Sequence, residues 1–148
     1  MKIRSMLKSD YEEVYQLWKS IKGFALRVVD DSKDEVERFI DRNPGLSVVA
    51  EENGKIVGAI LCGHDGRRAS LYHVCVAPSC RNKKIGKQMV YACVEKLKKE
   101  KINKISIIAF TRNEIGNAFW NKLEWTKRDD VFYYEMSLNE SNQTKIVE

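Results

Sequence analysis

The sequence predicts a single α+β domain, and three observations support that prediction. Apolar residues make up 43% of the 148 residues and charged residues 32%, a globular composition rather than a disordered or fibrous one. Stretches with the alternation of strands are mixed with stretches that have the 3.6-residue period of helices. Three predicted strands follow one another directly, which favours antiparallel pairing. We expect one domain over residues 1–138 and a frayed polar tail over residues 139–148.

The N-terminal third of the chain predicts one strand and two helices. Ile3–Leu7 has the pattern of a short strand, and Ser9 begins a helix through a capping box with Glu12. Phe24–Asp31 then forms a connection. Ser32 caps the second helix.

The middle of the chain predicts three consecutive antiparallel strands. Leu46–Glu51 and Ile56–Cys62 are joined through Asn53-Gly54, a strong hairpin signal. A second turn through Asp65-Gly66 leads into a fourth strand, Ala69–Val76.

The remaining elements are two helices and the last strands. Ile85–Lys101 and Glu114–Leu123 have helical apolar spacing, and the β-branched stretch Lys104–Phe110 predicts a fifth strand between them. The intervening helix permits parallel pairing of the fourth and fifth strands. Thr126–Leu138 completes a mixed central sheet of six to seven strands flanked by four helices.

The positive charge is concentrated in one stretch. The net charge is +5, yet residues 80–104 hold nine basic and two acidic side chains. A localised positive field suits a polyanion or a phosphorylated ligand. We expect Lys96–Lys101 to be a solvated helix face, whereas Arg81–Lys87 stands at a helix start, where unpaired N–H groups bind phosphate.

Several classes of protein are excluded by pattern. No apolar run approaches the roughly 18 residues of a membrane span. Charges occupy the first ten residues, where a signal peptide has its apolar core, so we expect a cytoplasmic protein without a membrane partner. The four cysteines form no C-x-x-C pair and the two histidines complete no zinc spacing, so we expect free thiols and no metal.

The basic stretch at the helix start resembles the R/Q-x-x-G-x-G/A loop of the GNAT family (Gcn5-related N-acetyltransferases), which grips the pyrophosphate of acetyl-CoA. Arg81 and Gly86 match that loop, and Lys84 stands where the middle glycine is usual. The contacts with acetyl-CoA that the resemblance implies are Arg81, Asn82, Lys83, Lys84, Ile85, Gly86 and Lys87.

The resemblance covers roughly residues 2–138 and implies a GNAT-type fold. Val74-Cys75-Val76 is similar to the family strand whose backbone pairs with the pantetheine arm. The stretch from Asn113 is similar to the N-x4-A-x-x-Y segment, with Trp120 in the place of the tyrosine. The further cofactor contacts implied are Val74, Cys75, Val76, Asn113, Asn117 and Trp120. Short motifs such as Gly63–Arg68 are similar to those of a group of small stand-alone bacterial GNAT proteins.

Acetyl transfer needs a base for the amine proton, and His73 is the first candidate. Some GNAT enzymes have a glutamate base on the fifth strand, where Ile108 stands here, and others on the fourth strand, where His73 aligns. Imidazole is a competent base because its unperturbed pKa of about 6.5 lies close to neutrality. Strict alternation predicts Leu71, His73 and Cys75 on one face of the strand and Tyr72 on the other.

The departing thiolate benefits from an acid, which in the family is usually a tyrosine. Since Trp120 occupies that position, we name Tyr72 as the catalytic candidate. The alternatives are Tyr91, Tyr133 and Tyr134, a thiolate that leaves without an acid, or a protein with little activity.

Two charged groups are candidates for acceptor recognition. Asp65, Arg67 and Arg68 lie on the turn before the fourth strand, where arginines suit a carboxylate or phosphate of the acceptor. Asp30 and Asp31 lie in a segment that covers the acceptor site in GNAT folds, where they would attract a cationic amine. Helix capping and a solvated turn are the alternatives for these groups.

We therefore expect an N-acetyltransferase that moves an acetyl group from acetyl-CoA to a primary amine by direct transfer. The acceptor is a small-molecule amine or a peptide N-terminus. The departures at Trp120 and Ile108 leave a second hypothesis, an acyl-CoA-binding sensor or regulatory module with little turnover. A nucleic-acid partner is not expected, because Tyr91 is the only aromatic residue of the basic stretch. GNAT proteins are often dimers, so the resemblance implies a homodimer, and an exposed edge at Thr126–Leu138 would support pairing between subunits.

Overall fold

A computed structural model describes residues 1–148 and confirms the α+β class and the four helices. Its seven strands divide into a five-stranded sheet of order β1-β3-β4-β5-β6 and a two-stranded sheet of β2 and β7. The β5–β6 pair is parallel, as the sequence predicts, and the other pairs are antiparallel. The strands are β1 Lys2–Ser5, β2 Ala25–Arg27, β3 Val48–Glu52, β4 Lys55–His64, β5 Ala69–Val76, β6 Ile105–Ser106 and β7 Thr144–Ile146. The helices are α1 Tyr11–Lys19, α2 Lys33–Arg42, α3 Ile85–Lys99 and α4 Glu114–Lys122.

The large sheet separates two apolar clusters. On one side, which we call the α1/α2 face, Val14 and Trp18 of α1 and Val36 of α2 are fully buried against the sheet. On the opposite side, the α3 face, Met89 and Leu97 of α3 are buried in the same way. Burying a large apolar side chain contributes about 1.5–3 kcal/mol, so these two layers fix the position of α3 and of the α1–α2 connection.

A β-bulge interrupts β5. Ala59 of β4 is opposite Cys75 and Leu61 is opposite Tyr72, so one residue of β4 faces two residues of β5. The extra residue is accommodated at His73, whose φ of 51° lies in the left-handed region. Leu71 therefore packs on the α3 face while Cys75 packs on the α1/α2 face. The predicted strict alternation is wrong here, since Tyr72 and His73 both contact aromatic rings of the α1/α2 face.

The fifth strand is much shorter than the sequence predicts. β6 covers Ile105–Ser106 and pairs only with Ala69 and Ser70, in place of the expected Lys104–Phe110. The edge of β5 beyond Ser70 therefore has no strand beside it.

The expected closing strands over Thr126–Leu138 are absent. Because β6 ends after two residues, it offers no edge along which this segment can pair. Its apolar side chains are exposed instead, with Phe132 and Tyr134 each 87% accessible.

The C-terminal segment pairs with the connection between α1 and α2. β7 is antiparallel to β2, so the expected frayed tail over residues 139–148 is wrong. The carboxamide oxygen of Asn142 accepts hydrogen bonds from the N–H groups of Val29 and Asp30 at 3.0 and 2.9 Å. These contacts hold the segment that carries Asp31 against the body of the domain, because backbone donors of a loop need fixed acceptors to keep one conformation.

The helix caps are partly as predicted. The Ser32 hydroxyl caps α2 by accepting from the N–H of Glu35, as expected. The predicted cap at Ser9 is wrong, because residues 8–10 form a 3-10 turn and α1 begins at Tyr11. Asp10 is engaged there by Arg4, whose guanidinium holds the pKa of the Asp10 carboxyl below its usual range.

Lys96 is an exception to the expected solvated face of α3. Its ammonium donates to the Ser5 hydroxyl and to the Gly45 carbonyl, both at 2.7 Å. Burial lowers the pKa of Lys96 from its ordinary value.

No helix of the structure is long and apolar enough to cross a lipid bilayer. The four cysteines are free thiols.

Replacing Asn142 with alanine tests whether the C-terminal segment holds the α1–α2 connection. Asn142→Ala removes the acceptor of two backbone N–H groups, so we expect stability to fall by about 1 kcal/mol. Amide exchange at Val29 and Asp30, followed by NMR, is expected to accelerate. The exposed Asn121, whose carboxamide has no bond, provides the control Asn121→Ala. Unchanged exchange at both amides in Asn142→Ala would contradict this role.

Candidate functional site

The loop before α3 forms a cradle of unpaired backbone N–H groups. We define the cradle as residues 81–87, which follow β5 through a 3-10 turn at Pro78–Cys80. The backbone N–H groups of residues 82–87 have no acceptor within the protein. Two residues of this loop, Asn82 and Lys84, have positive φ values of 63° and 65°. A row of unpaired N–H groups at a helix N-terminus fits phosphate oxygens.

The side chains of the cradle add positive charge. No carboxylate pairs with Arg81, Lys84 or Lys87, whereas Lys83 lies 3.5 Å from Glu52. The N-terminus of α3 contributes about half a positive charge from its macrodipole. The cradle therefore fits a doubly charged pyrophosphate better than a neutral ligand.

Ile85 and Gly86 serve the cradle through packing. Ile85 is 2% exposed, so only its backbone faces the anion. A Cβ placed on Gly86 would lie 3.1 Å from the Phe119 ring and 3.7 Å from Val76. Gly86 thus lets α4 approach the start of α3, a packing role in addition to the expected close approach of backbone to phosphate.

The polar side chains of α4 are partly engaged. Asn113 caps the helix by accepting from the N–H of Gly116 at 2.9 Å, which leaves its amide donors free. Asn117 donates to the carbonyls of Phe110 and Asn113, so its role is to fix the loop before α4. Phe119 of α4 packs against Gly86 of the cradle, so α4 borders the cradle. Asn113 lies at the N-terminus of that helix.

Trp120 is packed between aromatic neighbours. Its ring lies 4.9 Å from Phe119 and 4.6 Å from Trp125. Its Nε1 has no hydrogen-bond partner and is not buried, since Trp18 Nε1 is the one buried side-chain donor without a partner. The indole therefore offers a free N–H donor at this position but no proton-donating hydroxyl.

The open edge of β5 continues from the cradle. The N–H of Ala77 bonds to Val57 on the β4 side, so alternation turns the N–H and C=O groups of Val74 and Val76 toward the open edge. Between them, the Cys75 thiol is buried, and burial raises its pKa to about 12. The edge can pair with an extended polar chain, whereas the thiol stays protonated and is unsuited to nucleophilic attack.

His73 is the centre of the second half of the site. Its Nε2 lies 2.8 Å from Asp31 Oδ1, and the side chains of the two residues are 14% and 6% exposed. Trp18 and Phe24, whose rings stack with centroids 6.2 Å apart, both contact the imidazole, each with its ring centroid 4.8 Å away. Nδ1 has no bond in the protein and is not among the buried donors or acceptors without a partner, so solvent or a ligand can reach it.

Tyr72 is the tyrosine next to this imidazole. It is 50% exposed and packs edge-on against Phe39 of α2.

The other candidates for an acid lie elsewhere on the surface. A hydrogen bond with Glu135 raises the pKa of Tyr133, and Tyr133 is close enough to Tyr72 for their charges to interact. Tyr91 projects from α3 near Lys87, and Tyr134 is 87% exposed. Ile108 is 71% exposed beyond the end of β6 and contributes no acid or base.

The two acidic candidates of the α1–α2 connection are separated by the structure. Asp31 is 5% exposed and bound to His73, so it does not project to an acceptor amine. The Asp30 side chain is exposed and forms no bond, while its N–H is held by Asn142.

The turn before β5 forms a different surface. Asp65 accepts from the N–H groups of Arg67 and Arg68 and closes the turn. The two arginine side chains line a polar cavity of about 470 Å³ together with Gly66, Lys101, Asn103 and Lys104. Arg68 and His73 are five positions apart, about 16 Å at the rise of a strand, so these arginines do not meet the imidazole.

Sequence reasoning did not assign functional roles to Trp18, Phe24 and Asn142. Trp18 has the spacing of an ordinary core residue of α1, and Asn142 lies in a polar segment. No sequence signal marks Trp18 or Asn142. The contact of Trp18 with His73 depends on the bulge in β5, and the position of Asn142 depends on the β2–β7 pairing.

Comparison with known proteins agrees with this geometry. The family model described as the acetyltransferase (GNAT) family matches residues 10–125. An acetyltransferase of Sodalis glossinidius is 31% identical over 143 residues, which are 97% of this chain and 99% of that protein. The PaiA N-acetyltransferase of Thermoplasma acidophilum, solved with coenzyme A, covers 97% of this chain and 95% of its own at a TM-score of 0.75 and 19% identity.

A second solved structure, AAC(6')-Iy with a bisubstrate analogue, has a TM-score of 0.70 at 20% identity and covers 92% of this chain and 97% of its own. At these identities the solved structures show the fold, while the family model and the bacterial relative extend over most of the chain. The unpaired N–H groups of the cradle fit the pyrophosphate of the family's cofactor. This chain belongs to the GNAT family of acetyltransferases, which use acetyl-CoA.

Proposed function

We propose that this protein transfers the acetyl group of acetyl-CoA to a primary amine, with His73 as the base. The observation that supports this most directly is the unpaired Nδ1 of His73, which lies on the strand that carries the open edge and leads to the cradle. His73 and Val76, at the end of β5, are three positions apart, about 10 Å at the rise of a strand, and the cradle lies beyond Val76. A proton acceptor with an anion site farther along the chain suits an amine acceptor and a long phosphorylated donor.

The chain's own residues divide the work between them. Acetyl-CoA supplies the acetyl group as an activated thioester. Arg81, Lys84 and the N–H groups of residues 82–87 bind and orient its phosphates. The N–H groups of Val74 and Val76 at the open edge are available to a carbonyl oxygen. His73 Nδ1 accepts the proton of the amine, and holding both reactants together supplies much of the remaining rate.

Direct transfer is favoured over a covalent route through the protein. Cys75 is the cysteine closest to His73 in sequence, and burial raises the pKa of its thiol to about 12. A thiol that stays protonated is a poor nucleophile. Tyr72 is the proposed proton donor to the departing thiolate, because its exposed hydroxyl lies on the strand beside His73.

The acceptor is proposed to be a small-molecule amine or a peptide N-terminus. The exposed Asp30 carboxylate beside Asp31 supports a cationic amine as the approaching group. Asp65, Arg67 and Arg68 remain a proposed subsite only for an acceptor long enough to span about 16 Å from His73.

Titration calorimetry with acetyl-CoA and CoA tests the cradle. We expect Arg81→Ala to weaken binding about 10- to 100-fold, because it removes a charge-assisted contact with phosphate. Lys98→Ala provides the control, since Lys98 is an exposed lysine near the other end of α3. No heat with the unmodified protein, or equal weakening by both substitutions, would contradict the assignment of the cradle.

A panel of primary amines and peptides tests the transfer itself. We expect His73→Asn to lower kcat about 100-fold for an accepted amine, because the proton acceptor is lost while asparagine tolerates the left-handed backbone. His64→Asn is the matched control, because both ring nitrogens of His64 are occupied by Glu100 and the N–H of Gly66. Binding of CoA without acetylation of any amine would instead favour the acyl-CoA-binding module.

We also propose that two copies associate through the exposed segment of residues 131–138. Phe132, Tyr134 and Met136 are 87%, 87% and 80% exposed, and burying such side chains is the main favourable term in association. Sedimentation equilibrium is expected to show a dimer that dissociates in the double variant Phe132→Asp, Tyr134→Asp. A monomeric unmodified protein at micromolar concentration would contradict this proposal.

A further inference from the structure

Each oxygen of Asp31 and its backbone N–H has one specific hydrogen-bond partner. Its Oδ2 accepts from the N–H of Arg27 at 2.7 Å, and its Oδ1 faces His73 Nε2 at 2.8 Å. Its carbonyl accepts from the Tyr11 hydroxyl at 2.6 Å, and its N–H bonds to the Arg27 carbonyl. No lysine or arginine pairs with this buried carboxylate. The imidazole of His73 is therefore the one side chain that forms a hydrogen bond with the carboxylate oxygens.

This arrangement determines which nitrogen of His73 carries the proton. A carboxylate only accepts hydrogen bonds, so Nε2 must be the donor and must bear the hydrogen. In the neutral ring, Nδ1 is then the unprotonated nitrogen. Nδ1 is also the nitrogen without a partner in the protein. The base therefore presents its lone pair on the atom that a substrate can reach.

Two aromatic rings that stack on each other, Trp18 and Phe24, also hold the imidazole in this orientation. Trp18 packs edge-on at 60° to the imidazole and Phe24 is tilted at 48°, both at 4.8 Å. Trp18 is fully buried and fixed in the core by α1. The left-handed backbone of His73 is unfavourable relative to an ordinary strand, and the surrounding contacts maintain it.

We propose that Asp31 is a positioning residue for the acetyl transfer, which holds His73 as the Nε2–H tautomer and so keeps Nδ1 free to take the amine proton. The proposal rests on the proposed function of His73. It replaces the expected contact of Asp31 with the acceptor, because the carboxylate is turned into the protein and toward the imidazole.

The backbone N–H of Arg27 makes Asp31→Asn a sharp test. That N–H requires an oxygen, and asparagine has only one, so the NH₂ group of Asn must face His73. Nε2 must then accept a hydrogen bond, which moves the proton to Nδ1 and removes the base. The fold keeps its contact with Arg27, so the variant separates the tautomer from the stability of the connection.

The proton position is measured by long-range ¹H–¹⁵N NMR on protein labelled at histidine. We expect Nε2–H in the unmodified protein and Nδ1–H in Asp31→Asn, while His64 in the same spectrum stays unchanged. Asp34→Asn, which alters an exposed carboxylate at the start of α2, is the control and is expected to leave His73 as it is. An Nδ1–H tautomer in the unmodified protein would overturn the proposal without any activity measurement.

Kinetics with an amine accepted by the unmodified enzyme give the second measurement. We expect Asp31→Asn to lower kcat about 100-fold with little change in the KM for acetyl-CoA, since the cradle is not involved. Added to His73→Asn, the same substitution is expected to cause no further loss, because Asp31 acts through His73. Retained kcat in Asp31→Asn, or a full additional loss in the double variant, would overturn the proposal. If no amine is accepted, the proposed function fails, and the NMR spectrum still decides the proton position.

Discussion

The single extra residue in β5 is the constraint on which both halves of the site depend. An uninterrupted strand would alternate its side chains, and His73 would then share a face with Leu71. The bulge instead turns Tyr72, His73 and Cys75 to the α1/α2 face while Leu71 and Met89 keep the α3 face packed. One strand can thus present an imidazole near its middle and an anion cradle beyond its end. The local strain is small compared with the two apolar clusters that hold the strand between them.

The charge of Asp31 is tolerated because the connection around it is held by hydrogen bonds. Burying a carboxylate is unfavourable unless its oxygens accept hydrogen bonds, and here each oxygen has one donor. Burial raises the pKa of Tyr11 to about 12, so its hydroxyl stays protonated and donates to the Asp31 carbonyl. The strand pair β2–β7 fixes the other side of the connection. The C-terminal residues therefore support the geometry of His73 although they lie far from it in sequence.

The sequence was sufficient for features that depend on neighbouring residues. The Asn53-Gly54 turn, with both φ values positive, the Ser32 cap and the helix after the basic loop are local and were predicted. The bulge was not predictable from pattern, because a histidine, not a glycine, occupies the left-handed position. The β2–β7 pair joins residues more than 100 positions apart, and nothing in the polar sequence of β7 indicates its partner. The resemblance of Arg81–Lys87 identified the cradle, whereas the pairing of Asp31 with His73 required the structure.

The two departures from the family pattern have different physical consequences. Lys84 occupies a left-handed position at the start of α3, where glycine would be free of the roughly 1–2 kcal/mol that a side chain costs. The side chain adds a positive charge beside six unpaired N–H groups, which strengthens the attraction for an anion. Trp120 removes a hydroxyl from α4, but its ring packs with Phe119 and Trp125, and Phe119 in turn packs against Gly86 at the start of α3. The first departure therefore concerns the strength of phosphate binding. The second leaves the packing of α4 intact, and under the proposed function the proton donor is then Tyr72, which is exposed next to His73.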